Sequence, residues 1–282
     1  MSKSNIKVIH TLWTKPHFDR DDNFGFDKIE TFFNSLILSV NAARQNYNNV
    51  ILYTDTPGLK LLEPYMNQLP YSKVYNILDE LDSVPIFLWA FPKIYVYSLQ
   101  LEPFLHIDND FYLWDNIENY QNNADIICQN KENYVEDRIV FPHYTHALKT
   151  IGHLFPFSYN YPNSFALNAG IYGALNKKGL EMFKQMYLEA SIVLQKIKNA
   201  SPNEIDKYIK HSKSINCLIE QAFGGNYISN RQVDIVIAED LENFKFTHLM
   251  GHLKLSSDEI NRLDWRIKNK EYKVGRSGHF SL

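Results

Sequence analysis

Asp108 and Asp110 stand two residues apart in the apolar run FLHIDNDFYLW, Phe104 to Trp114. In an extended strand, residues two apart share a face, so these carboxylates would lie side by side and repel unless a cation sits between them. Two hard oxygen donors in that arrangement suit Mg2+ or Mn2+, ions that also hold phosphates. A pair of aspartates is by itself weak evidence, since helix caps and solvated surface carboxylates are commoner uses. The late segment FTHLMGHLK adds the missing parts: His248 as an imidazole for the borderline ion Mn2+, Gly251 as a place for close backbone approach, and Lys254 as a point charge for phosphate. His248 and His252 also read HxxxH, but the glutamate of an HExxH zinc helix is absent. Another unusual pair is Glu220-Gln221 inside INCLIEQAF, an apolar helical segment where charge is rare.

These groups need a scaffold, and the order of elements reads as an α/β domain with a mostly parallel sheet. IKVIHTLW (Ile6 to Trp13) reads as a buried strand and TKPHFDRDDNFG as a polar, turn-rich loop. Apolar positions Ile29, Phe32, Phe33, Leu36, Ile37 and Val40 at three-and-four spacing mark a long helix. VILYTD is a second strand closed by Pro57-Gly58. LKLLEPYM is a short helix, KVYNIL a weak strand, and Pro85 to Gln100 a third helix that Pro92 kinks or limits. ADIICQN is a strand, Lys131 to Ser164 a long loop, and FALNAGIYGALN a strand holding a small-residue turn. Two helices, KKGLEMFKQMYLEASIVLQKIK and PNEIDKYIKHSKSINCLIEQAF, a strand VDIVIAE and a last helix through Asn269, capped by Ser256 with Glu259, complete the chain.

With 282 residues, net charge −3 and 45% hydrophobic residues, the composition is that of a soluble globular protein. No run approaches the roughly 18 to 20 apolar residues that span a bilayer. The start MSKSNIKVIH goes straight into a strand pattern, which leads us to expect a cytoplasmic protein. Cys128 and Cys217 lack CxxC partners and are expected as packed thiols. The near-neutral charge, with no basic cluster evident, argues against nucleic acid as a ligand. No amphipathic basic helix stands out as a membrane anchor, so peripheral membrane association is left open.

Asp108-x-Asp110, LNAGI (Leu167 to Ile171), Glu220-Gln221 and His248-x-x-Gly251-x-x-Lys254 occur in the order found in GT-A glycosyltransferases, and the chain resembles most the retaining glycosyltransferases of family 8. Across residues 6 to 255 it also resembles an uncharacterised bacterial family of similar length. The resemblance implies a GT-A fold in one domain, residues 1 to 282, with roughly 1–115 the nucleotide-binding half and 116–282 the acceptor half. It implies that Asp108, Asp110 and His248 hold Mn2+ (or Mg2+) against the diphosphate of a nucleotide-sugar donor, which Gly251 and Lys254 also contact. Asn168, Ala169 and Gly170 would lie by the donor sugar and acceptor, and Glu220 and Gln221 near the anomeric carbon. Lys93 would reach the donor as the family's basic residue does, or else be a solvated helix lysine. Thr11 and Trp13 follow the first strand, where GT-A enzymes hold the base; the other reading of both is packing. Leu255 replaces the family's proline, and Glu220 its usual aspartate. The expected activity is transfer of a sugar, from a UDP-sugar, to a glycan or glycolipid acceptor entering beside the aromatic stretch Tyr134 to Phe165, with retention. The alternatives are a non-catalytic nucleotide-sugar or glycan-binding relative and a nucleotidyltransferase, though no Gly-rich basic loop follows the first strand.

Overall fold

Val8, Ile9 and Leu12 begin the core of the chain, whose computed structural model describes residues 3–20, 22–120, 123–133, 147–156 and 165–273. The elements in chain order are β1 (Ser4–Leu12), α1 (Lys15–Arg20), α2 (Ile29–Asn46), β2 (Tyr47–Thr54), α3 (Thr56–Leu62), β3 (Lys73–Asn76), α4 (Phe91–Ser98), β4 (Phe104–Ile107) and β5 (Phe111–Leu113). There follow β6 (Ile126–Cys128), β7 (Lys131–Asn133), β8 (Phe165–Leu167), β9 (Ile171–Ala174), α5 (Lys177–Lys198), α6 (Pro202–Lys210), α7 (Ser212–Cys217), α8 (Phe223–Arg231), β10 (Ile235–Ile237), β11 (Phe246–His248) and α9 (Ser257–Asn269). They form two compact units, one from Met1–Glu80, Phe104–Gln121 and Leu241–Leu282, the other from Leu81–Pro103 and Asn122–Asp240.

In the first unit β3, β2, β1 and β4 pair in parallel, with Val8 opposite both Val50 and Leu105. α2 covers this sheet with Phe32, Phe33, Leu36, Ile37 and Val40, the stripe its sequence spacing predicts. Each such side chain contributes about 1.5–3 kcal/mol by leaving water. In the second unit β6 pairs in parallel with β10 and antiparallel with β9, and α5 packs on α4. The mostly parallel sheet flanked by helices, expected from the order of elements, is therefore present.

Local differences have local causes. The segment after β1 is not all loop, because Lys15–Arg20 closes into α1. Pro57 and Gly58 do not end β2 in a turn; they open α3, whose N-cap Asp55 accepts from the Gly58 N–H at 2.8 Å. The same carboxylate accepts from the Thr14 N–H and hydroxyl, both at 2.9 Å. α4 begins only at Phe91, because Pro92 fits a first turn and not a helix interior. The helix expected from Pro202 to Phe223 is three pieces: α6, α7 and a π-helical turn, Leu218–Ala222. Ser256 precedes α9 without the side-chain cap expected of it, and the Glu259 carboxylate, the other half of the expected box, pairs with Arg262 at 2.8 Å. Both cysteines are free and buried.

A Cβ at Gly225 would stand 1.6 Å from the Phe165 carbonyl oxygen, so α8 lies this close to β8 only because the position is glycine. Gly225→Ala is expected to lower the unfolding free energy by about 3 kcal/mol, read as a lower urea midpoint, since backbone must move to admit the methyl. An unchanged midpoint would mean that the two elements sit further apart than described. His10 lies in β1 with Nε2 2.9 Å from the Ser39 hydroxyl, and burial pushes its pKa down to about 3. The unfolded chain takes up a proton near pH 6.5 that the folded chain refuses. Stability therefore falls as pH drops below that value, by up to about 1.4 kcal/mol per pH unit. His10→Phe should remove that part of the slope between pH 7 and 5 in urea unfolding, and parallel slopes for both proteins would refute it.

Candidate functional site

The run FLHIDNDFYLW is not one strand. β4 ends at Ile107, and a turn closed by the Phe111 N–H to the Asp108 carbonyl, 3.0 Å, separates it from β5. Asn109 at the turn donates to the Thr11 carbonyl at 3.4 Å and its own carbonyl accepts from the Ser35 hydroxyl at 3.2 Å. β5 then pairs antiparallel with β11, placing His248 opposite Phe111, and the Leu249 N–H donates to the Asp110 carbonyl at 3.0 Å. Leu38 of α2, Tyr112, Leu249 and Leu263 of α9 form a buried cluster beneath this ribbon.

The result brings together Asp108, Asp110 and His248, each offering one ligand atom within 4.8 Å of the others. Asp110 is 5% and His248 9% exposed. The Lys254 ammonium lies 2.5 Å from Asp110 Oδ2, and His248 Nε2 lies 3.5 Å from Oδ1. Burial alone would raise the Asp110 pKa; the Lys254 charge, with the hydrogen bond and charge of His248, outweighs it and holds the carboxyl well below the usual range. Gly251 has φ +54°, and no atom lies within 4 Å of where its Cβ would be. Its glycine thus serves the turn into the short helix Gly251–Leu255, which carries Lys254, more than close approach. Lys254 also lies 5.3 Å over the Phe26 ring. Thr11 and Trp13 at the end of β1 are buried, and the Thr11 hydroxyl lies 3.2 Å from His106 Nε2. The side chain of His252 is outside the described residues, as are positions 134–146 and 157–164 of the expected acceptor stretch.

The remaining expected residues belong to the second unit. Asn168, Ala169 and Gly170 link β8 to β9; the Asn168 side chain accepts from the Gly170 N–H at 3.0 Å and donates to Glu132 at 3.2 Å. Glu220 sits in the π-helical turn, fully buried, with the Lys93 ammonium at 3.3 Å and the Tyr97 hydroxyl donating to it at 2.7 Å. Gln221, beside it, is half-buried. One turn earlier Asn216 accepts from the Ala90 N–H at 2.8 Å and donates to the Phe87 carbonyl at 2.7 Å, tying α7 to the start of α4. Tyr97 and Asn216 escaped the sequence reading. Their signal was spacing, four residues after Lys93 and four before Glu220.

A family model described as a family of unknown function, DUF6734, matches residues 6–273. The chain belongs to this family. No curated protein matches the DUF6734 chain. Among solved structures it is similar to apo mouse xyloside xylosyltransferase 1, with 11% identity, 83% of this chain and 85% of that one covered, and a TM-score of 0.43. It is similar to an active-site mutant of LgtC at 9% identity, with 96% and 98% covered and a TM-score of 0.46. It is also similar to LicC, a CTP:phosphocholine cytidylyltransferase of Streptococcus pneumoniae, at 10% identity, with 93% and 99% covered and a TM-score of 0.41. The functional reading of this DUF6734 member therefore rests on its own side chains.

Proposed function

We propose that the protein is a metal-dependent glycosyltransferase of GT-A fold, working in the cytoplasm, that moves a sugar from a nucleoside diphosphate donor, a UDP-sugar, to a glycan or glycolipid acceptor with retention. The observation that carries this reading is the convergence of Asp108, Asp110, His248 and Lys254 from segments some 140 residues apart in the sequence. Two carboxylates and an imidazole make an oxygen-rich donor set that fits Mn2+ or Mg2+, and a cation held there needs no further protein charge to offset it. Such an ion supplies Lewis-acid neutralisation of a leaving diphosphate.

The chain's own residues do the rest. Lys254, 2.5 Å from Asp110, is a point charge placed to pair with the diphosphate and to stabilise the negative charge that grows as the sugar–phosphate bond breaks. Asp108, Asp110 and His248 would hold such an ion at the end of the ribbon. In the second unit we assign Asn168, Ala169 and Gly170 to the donor sugar and acceptor, and Gln221 to the oxocarbenium-like sugar. Glu220, fully buried, orients Lys93 and the π-helical turn that presents Gln221. Thr11 and Trp13 are assigned to the base.

Thermal unfolding with UDP, GDP, CDP and dTDP, each with Mn2+, Mg2+ or EDTA, tests the reading. A nucleotide at about 100 times its dissociation constant adds roughly 2.7 kcal/mol to folded stability, a clear rise in midpoint. One nucleotide stabilising only with metal is the expected result. If none does with either ion, the donor-site reading falls. A nucleotide that binds with metal while no nucleotide-sugar is turned over would make the protein a binding relative.

A further inference from the structure

α5 buries Leu180, Met182, Phe183, Met186, Val193, Leu194 and Ile197 along its inner face, yet keeps two more aliphatic side chains outside. Leu188 and Ile192, four residues apart and so on one face, are 56% and 42% exposed. Ile209 of α6 is 49% exposed. A groove of about 900 Å³ runs beside the outer face of α5, with Leu154, Leu188, Ile192 and Tyr208 on its walls. Scattered exposed aliphatics are ordinary, but Leu188 and Ile192 line one groove, which the neighbour of Ile209, Tyr208, also lines, and they have a marked electrostatic setting. From Lys177 to Lys213 the chain carries eight lysines against Glu181, Glu189, Glu204 and Asp206, in a chain whose total charge is −3. Lys178 is paired with Asp125 at 2.8 Å and Lys184 with Glu181 at 3.0 Å, so the excess of positive charge rests on the remaining lysines. Lys196, Lys198, Lys207, Lys210 and Lys213 are exposed. Two of the acids are turned to their own chain: Glu204 accepts from the Ser201 N–H and hydroxyl, and Glu189 from Gln185.

Exposed aliphatics on helices that also carry exposed lysines match a surface of anionic headgroups over acyl chains, where burial of the aliphatics and attraction of the lysines add. The same charge argues against a second copy of the chain as the occupant, since two lysine-rich faces repel. We propose that the outward face of α5 and α6 docks the second unit on an anionic lipid surface, with Leu188, Ile192 and Ile209 entering between headgroups and the lysines facing them. This departs from the expectation that no basic cluster or amphipathic basic helix is present: the lysines of α5 and α6 are dispersed along the chain, and only packing reveals which apolar positions stay outside beside them. This inference does not rest on the transferase reading: vesicle binding and nucleotide binding are separate measurements, so either can fail alone.

The test is co-sedimentation of the full chain with vesicles of phosphatidylcholine alone and of phosphatidylcholine mixed with phosphatidylglycerol. Binding to the mixed vesicles only, weakening as salt rises, is expected. The pair Leu188→Glu, Ile192→Glu and the pair Lys207→Glu, Lys210→Glu should each weaken it about tenfold or more. Lys73→Glu, an exposed lysine of the first unit, should leave it unchanged. Thermal midpoints report whether the variants fold, and the lysine pair, fully at the surface, decides if the aliphatic pair does not. No binding, equal binding to both vesicles, or binding indifferent to the lysine pair would overturn the proposal. So would a change of oligomeric state in the aliphatic pair with vesicle binding retained, which would make this face a contact between copies.

Discussion

Asp110→Asn is expected to abolish the metal-dependent rise in thermal midpoint given by the preferred nucleoside diphosphate, and to slow sugar transfer by about 10² to 10³. The substitution keeps the size of the side chain but removes the charge that Lys254 and His248 face, so the donor set loses its most buried member. Without ligand the same change costs about 1–3 kcal/mol, because the amide cannot replace a charge-assisted hydrogen bond to the ammonium. The ligand effect is therefore read as the difference between midpoints with and without nucleotide for each protein. Lys254→Met should retain metal-dependent binding in weaker form, since it removes the proposed phosphate contact and leaves the three candidate ligand side chains. If Asp110→Asn still gains the full metal-dependent stabilisation, the carboxylates serve the turn and the ribbon, and the nucleotide site lies elsewhere.

The second large effect is expected at Glu220. Its carboxylate is fully buried against the Lys93 ammonium and the Tyr97 hydroxyl. Glu220→Ala takes away one partner of a buried charge pair, which costs about 3–5 kcal/mol in such settings; the low end applies here because Lys93 keeps some exposure to water. Tyr97→Phe removes one hydrogen bond and should cost about 1–3 kcal/mol. In urea unfolding the double variant should lose less than the two single losses together, by about 1 kcal/mol, as groups in contact do. Additive losses would show that the contact does not hold in solution. Glu220→Gln, which can still accept from Tyr97, separates stability from catalysis: it should fold with a modest loss while transfer falls by about 10².

Much of the scaffold was legible because it is local. The three-and-four spacing of α2, the apolar run of β1 and the alternation of strands with helices depend on neighbours within one or two turns, and these elements stand where the spacing puts them. Breaks were harder. Pro92 sits in a first turn, so the residues ahead of it are not helix, and the π-helical turn at Leu218–Ala222 gives a helical period no simple break signal. Seeing it requires knowing that Asn216 and Glu220 are both fastened to α4 and the turn before it.

The residue types of the candidate site were determined by the sequence alone: two aspartates, a histidine and a lysine are hard or borderline donors and a phosphate partner wherever they stand. Their convergence was not. Strand alternation would have set Asp108 and Asp110 on one face, yet a turn intervenes between them. What gathers them with His248 is the antiparallel pairing of β5 with β11, a contact spanning more than 130 residues. A strand's own pattern says which face is apolar and not which strand it will meet, because pairing energy belongs to both partners. Only the tertiary structure, which closes that long loop and packs α9 and α2 beneath the ribbon, decides that four scattered polar residues become one site.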